Sequence, residues 1–204
     1  MTIVSTASES GLRWDQLNAG AMQAAYERYR DWNVENIDWW EYIYEDATRM
    51  GALMGITIDK IQFSGFWSQG DGASYSGSYS AAPDAVAKIK AEAPQDAELH
   101  RIAEKLTELQ IAYGPLYGRS IQVKITTDNS RYCHEMTMNF GIEDDEGDEP
   151  VGRRTKELVD TLRDFARWIY SSLEQEYDYL TSEECVMESL ASGDYSFDED
   201  GRII

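Results

Sequence analysis

An α+β fold, built as an antiparallel sheet of two hairpins with helices packed on one face, is predicted by how two periodicities are ordered along the 204 residues. Apolar residues recur at three- and four-residue steps in several stretches and alternate at every second residue in four others. The alternating stretches come as two adjacent pairs, each divided by turn residues, and helical stretches separate the pairs. That order closes an antiparallel sheet and leaves its helices on one side.

The elements follow in sequence. Residues 1–16 are polar and read as a flexible N-terminus. Asn18 to Asp31 places Met22, Ala25, Tyr26 and Tyr29 on one helical face, with Asn33 or Asn36 ending it and capping the next helix. Asp38 to Met54 repeats the pattern with Trp39, Ile43, Ala47, Met50 and Met54, and Gly55 stops it. From Ile56 to Trp67 the period becomes two, with Ile61, Phe63 and Trp67 inward. Ala73 to Ser80 alternates again, with Tyr75 and Tyr79 opposite a row of serines. The two strands form a hairpin around Gly70-Asp71-Gly72.

Pro83 to Ala91 reads as a short helix. Pro94 opens a longer one, striped by Leu99, Ile102, Ala103, Leu106, Leu109 and Tyr113 and ended by Gly114-Pro115. The second hairpin runs Arg119 to Thr126 and Arg131 to Phe140. It puts Ile121, Val123, Ile125, Tyr132, His134, Met136, Met138 and Phe140 on the helix side. Thr155 to Tyr179 is the longest helix, with Leu158, Leu162, Phe165, Ile169 and Leu173 aligned. Thr181 and Glu184 form a capping box for a last short helix. These elements assign 17–180 to the α+β domain and 181–204 to an acidic C-terminal helix and tail packed on it. The second sheet face, with Gln62, Ser64, Ser74, Ser78, Lys124 and Thr137, is wettable.

The stretch F-S-G-F-W-S-Q-G-D-G-A-S-Y-S-G, Phe63 to Gly77, is rich in glycine without being a phosphate cradle. Such cradles lead into a helix N-terminus, whereas this stretch leads into a period-two segment and carries Asp71, which repels phosphate. The glycines suit turn positions, with Asp71 accepting from backbone N–H groups. A recognition role is left to Phe66, Gln69 and Asp71, because scaffolded turns often hold function.

Catalytic and metal chemistry find little footing. Cys133 and His134 are neighbours on a strand and face opposite sides, so they do not pair as nucleophile and base. His100 sits among charged helix residues and reads as solvated. Glu143 to Glu149 and Asp198-Glu199-Asp200-Gly201 lack the ligand spacing of a calcium loop, so neither metal nor cofactor is expected. Two cysteines are too few for a disulfide framework. The N-terminus lacks the pattern of a secretory signal and no apolar run approaches a membrane span, which predicts a cytoplasmic chain.

The formal net charge is −20, and residues 143–204 hold nineteen acids against six bases. This excludes direct binding to nucleic acid or anionic membrane and favours a basic protein partner. It also exceeds the magnitude of roughly 2–8 that keeps a small domain soluble. Carboxylates arrayed on helices imitate backbone phosphates and fit a groove made for nucleic acid.

The string I-D-K-I-Q-F-S-G-F-W-S-Q-G-D-G-A-S-Y-S-G, with E-Y-D-Y-L-T-S-E-E and Y-S-F-D-E-D-G-R near the end, resembles a family of small acidic proteins of tailed bacteriophages and prophages. Some members are labelled as antitoxins of a toxin–antitoxin stability system. The resemblance covers most of Trp39 to Arg202 and implies a phage protein acting in the host bacterial cytoplasm. Joined to the acidic charge, that origin suggests by analogy with other acidic phage proteins a non-catalytic counter-defence inhibitor, of anti-restriction or anti-CRISPR type, that occupies a basic surface of a host nuclease or nucleic-acid-binding complex. The expected contacts are Glu143, Asp144, Asp145, Glu146, Asp148 and Glu149, together with Asp198, Glu199 and Asp200. Two alternatives stay open. One is an antitoxin-like neutraliser binding through Trp32 or Trp40; the other is an enzyme with a site at the Ser64–Ser74 hairpin. A homodimer is also left open.

Overall fold

The computed structural model describes residues 11–35, 37–117, 121–128, 132–143 and 152–204. Among these, the helices are α1 (Ala19–Arg28), α2 (Glu41–Leu53), α3 (Ala85–Glu92), α4 (Ala97–Tyr117), α5 (Arg153–Leu180) and α6 (Glu183–Ser192). The strands are β1 (Ile56–Ser64), β2 (Gly72–Ser80), β3 (Gln122–Thr127) and β4 (Met138–Glu143). The chain divides into two compact units, one holding the chain up to Trp39 with Gln175–Ile204, the other Trp40–Glu174. The sequence reading drew its boundaries at 17 and 181; the units divide before Trp40 and within α5.

The larger unit is the α+β body. Its four strands lie in the order β1-β2-β3-β4, and each neighbouring pair is antiparallel. Between Ile58↔Gly77 and Lys60↔Ser76 the register slips, leaving Asp59 as a bulge. The extra residue reverses the parity of β1. Ile56 and Ile58 before it, and Ile61 and Phe63 after it, therefore share one face.

That face meets the helices. Tyr75 is buried, donates its hydroxyl to the Leu162 carbonyl at 3.1 Å, and sets its ring against Phe165 at 5.7 Å. On α5 the stripe Leu158, Leu162, Phe165, Ile169 and Leu173 is buried, each side chain contributing about 1.5–3 kcal/mol. On α4 the buried stripe runs from Leu99 through Ile102, Ala103 and Leu106 to Leu109.

Several expectations are corrected. The first hairpin's strands stop at Ser64 and restart at Gly72, so its connection is Gly65–Asp71 and Trp67 is 67% exposed. β4 begins only at Met138, because Glu135–Thr137 forms a 3₁₀ turn capped by His134, whose Nδ1 accepts from Met136 N–H at 3.1 Å. Met136 and Tyr132 are accordingly exposed. The same segment covers one end of the polar sheet face. A Cβ at Gly72 would lie 2.8 Å from the His134 Cα, and Ser74 is only 1% exposed. Thr137, also assigned to the wettable face, is buried too.

Helix α4 continues through Gly114 and Pro115 to Tyr117, since proline removes only its own N–H bond in the closing turn. His100 is not simply solvated, as its Nε2 meets the Ala93 carbonyl at 2.8 Å. Asn33 is not a cap but donates to the Leu180 carbonyl, and Asn36 lies outside the described residues.

The smaller unit is organised by aromatic side chains. Phe197 and Leu190 are buried with Leu17, Ala21, Ala25 and Val186. Trp32 packs edge-on against Tyr29 and Tyr195, and Trp14 against Phe197. The cap of α6 is Ser182, accepting from Cys185 N–H, rather than Thr181, whose hydroxyl donates to the Tyr177 carbonyl. Trp39 is buried beside Tyr177, ahead of α2 rather than within it.

Candidate functional site

The described carboxylates separate into two kinds. In the α+β body about half bind a neighbouring cation. Arg101 bridges Glu98 and Asp164, Arg167 bridges Asp164 and Glu135, Lys105 bridges Glu108 and Glu157, and Lys90 meets Glu104. These pairs are exposed or half-exposed, add little stability each, and cancel one another's field. Their partners hold the Glu104 and Glu157 carboxyls below the usual range, chiefly through hydrogen bonds from Lys90 and Arg153.

The smaller unit differs. Its sequence holds fifteen acids and four bases. Glu176, Asp178, Glu183, Glu184 and Glu188, on the end of α5 and on α6, have carboxylates that make no ion pair with lysine or arginine among the described residues; the same holds for the carboxylates of Glu199 and Asp200, although the Asp200 carbonyl accepts from Arg28 at 3.3 Å. All but the half-buried Glu176 are exposed.

Two of them, Glu176 and Glu188, act on Tyr179 and Cys185. Tyr179 holds its proton above the ordinary range, first because of Cys185 and then through burial, Glu188 and Glu176. Burial raises Cys185, and Glu188 and Glu176 add to it. A thiol held protonated in this way is a poor nucleophile.

Placement on α5 is also informative. A helix C-terminus carries partial negative charge and favours cations, yet the last turns of α5 carry Glu174, Glu176 and Asp178 and no basic residue. On α6, Glu183 and Glu184 stand in the first turn, where the same dipole favours them.

Of the contacts expected from sequence, Glu199 and Asp200 are exposed on a turn of the smaller unit. Asp198 is committed elsewhere: its Oδ1 accepts from the Asp200 and Arg202 N–H groups at 3.0 and 2.8 Å, closing the turn. Glu143 ends β4, while Asp144, Asp145, Glu146, Asp148 and Glu149 lie outside the described residues. The carboxylates on α5 and α6 escaped the sequence reading because they are spread at helical spacing rather than gathered in a run. Glu176, Asp178, Glu183, Glu184 and Glu188 are gathered only by the placement of the end of α5 and of α6 in one unit.

At the first hairpin, Phe66 is half-buried rather than exposed, between Phe63, Trp67 and Tyr170 at ring distances of 5.9, 5.6 and 5.5 Å. Gln69 is exposed. Asp71 accepts from Ser68 N–H at 2.7 Å, the turn bond expected of it. Ser64 Oγ is buried with no hydrogen-bond partner among the described residues, so no base stands against it. Trp32 and Trp40 are both half-buried among aromatic rings rather than presented.

Fold and site together define an α+β protein with an acidic unit in which Arg13 pairs Asp194 while the carboxylates at the end of α5 and on α6 make no ion pair among the described residues. The chain belongs to the family described as Domain of unknown function (DUF8835), whose model matches residues 39–183. That span takes in the whole of Trp40–Glu174. Neither the curated proteins nor the solved structures contain a match.

Proposed function

We propose that this is a phage-encoded, non-catalytic binding protein that inhibits a host nuclease or nucleic-acid-binding complex by occupying its basic surface. The observation that carries the reading is the set of unpaired carboxylates on α5 and α6, Glu176, Asp178, Glu183, Glu184 and Glu188, joined by Glu199 and Asp200 on the turn. Charge used for solubility alone need not be concentrated in one unit, nor set against a helix dipole. A lysine- and arginine-lined groove made for phosphates is the surface such an array complements. The phage and counter-defence parts of the reading rest on the resemblance of Ile58–Gly77 and of the C-terminal strings to acidic phage proteins.

The test is a pull-down from bacterial lysate on immobilised protein, washed at low and then high salt. A charge-neutralised variant (Glu176→Gln, Asp178→Asn, Glu183→Gln, Glu184→Gln, Glu188→Gln) runs in parallel. A nucleic-acid-handling protein retained at low salt, released at high salt and missed by the variant supports the reading. Retention by the variant equal to the native chain refutes it.

A further inference from the structure

We infer that the Phe66-Trp67 turn of the α+β body is itself a contact point for a basic partner, a platform on which an arginine side chain stacks. The inference rests on the basic-partner reading and assigns it a specific side-chain recognition. Trp67 is 67% exposed and holds φ +66, a left-handed conformation that costs a bulky residue roughly 1–3 kcal/mol. The surroundings impose it. Asp71 accepts from Ser68 N–H on one side, Tyr170 donates to the Gly65 carbonyl at 3.2 Å on the other, and Gly70 turns with φ +93 against the Tyr132 ring.

Beneath the turn the rings continue inward, from Phe66 to Phe63 and on to Trp40 at 5.6 Å. The indole thus stands on a packed aromatic base, so little side-chain freedom remains to be lost on binding. The charge beside it is negative. Asp71 and Glu174 both raise the Tyr170 hydroxyl above its ordinary range, after burial, which is the larger cause.

An exposed indole in a turn closed by Asp71, on a chain of net charge −20, matches the guanidinium group, whose flat cation stacks on the ring face. An anion would be repelled by a chain of net charge −20.

The experiment titrates a nine-arginine peptide, and its nine-citrulline counterpart, into the full chain at low salt. The Trp67 indole N–H resonance is followed by NMR, assigned from its loss in Trp67→Phe, and affinity is measured by calorimetry. The arginine peptide should move that resonance and the citrulline peptide should not. Trp67→Leu should weaken arginine-peptide binding roughly three- to tenfold, and Trp67→Phe by less. Equal affinity for the native chain and Trp67→Leu, with binding still lost in the five-carboxylate variant, overturns this inference and leaves the acidic-surface reading standing. No arginine-peptide binding to the native chain overturns both.

Discussion

Gly77 of β2 pairs with Ile58 of β1, beside the Asp59 bulge. Its φ is +151, and a methyl group there would run into the Thr57 carbonyl. Gly77→Ala should therefore destabilise the chain by about 2 kcal/mol or more, read as a lower urea midpoint with unchanged slope. Buried tyrosines make a second prediction at this scale. Burial raises the Tyr44 and Tyr75 hydroxyls well above their ordinary range and Tyr79 to about 12, while a bond from Gln110 lowers Tyr79 slightly. Each stays protonated in the fold at pH values where the unfolded chain has lost that proton. Their contribution is thus complete below about pH 10 and is lost as pH rises toward and past 12. Tyrosinate absorbance should show a late fraction that ionises together with unfolding. Smooth titration of all tyrosines near pH 10, with the fold intact, would contradict this.

At the scale of elements, the end of α5 sets charge against its own dipole. Glu176→Gln and Asp178→Asn should each stabilise the protein by about 0.3–1 kcal/mol in thermal or urea unfolding, while weakening capture of a basic partner. Gain in stability with loss of binding distinguishes a functional placement from an indifferent one. The elements also show what a single sequence makes legible. The stripes of α4 and α5 are readable because every third or fourth residue faces one packed surface, and the buried residues are those the period selects. The pairing of Tyr75 and Tyr79 toward the helices is readable for the same reason at period two. The limits of the strands are not. Trp67 continues the alternation of β1, but Gly65 and Asp71 close a turn that period alone does not reveal. His134 likewise continues an alternating run, yet its ring caps a 3₁₀ turn by accepting from the chain two residues on, a local bond that outcompetes the strand. Of the candidate site, the turn carboxylates Glu199 and Asp200 are legible as a run. Glu176 through Glu188 become a group only once α5 and α6 are placed in one unit.

At the scale of the whole molecule, self-repulsion and recognition draw on the same charges. With thirty-eight acids against eighteen bases, the folded state concentrates repulsion that salt screens. The melting temperature should rise between about 10 mM and about 0.5 M sodium chloride, where the Debye length falls from about 30 Å to a few Å. The same screening should oppose binding. Among the described residues no helix is long and apolar enough to cross a membrane. The most direct measurement is the affinity for the captured basic partner as a function of salt, for the native chain and for the variant neutralised at Glu176, Asp178, Glu183, Glu184 and Glu188. A steep loss of affinity with salt in the native chain, and a weak, nearly flat dependence in the variant, is the predicted result. Equal affinity and equal salt dependence in the two proteins would contradict the claim that these carboxylates hold the partner.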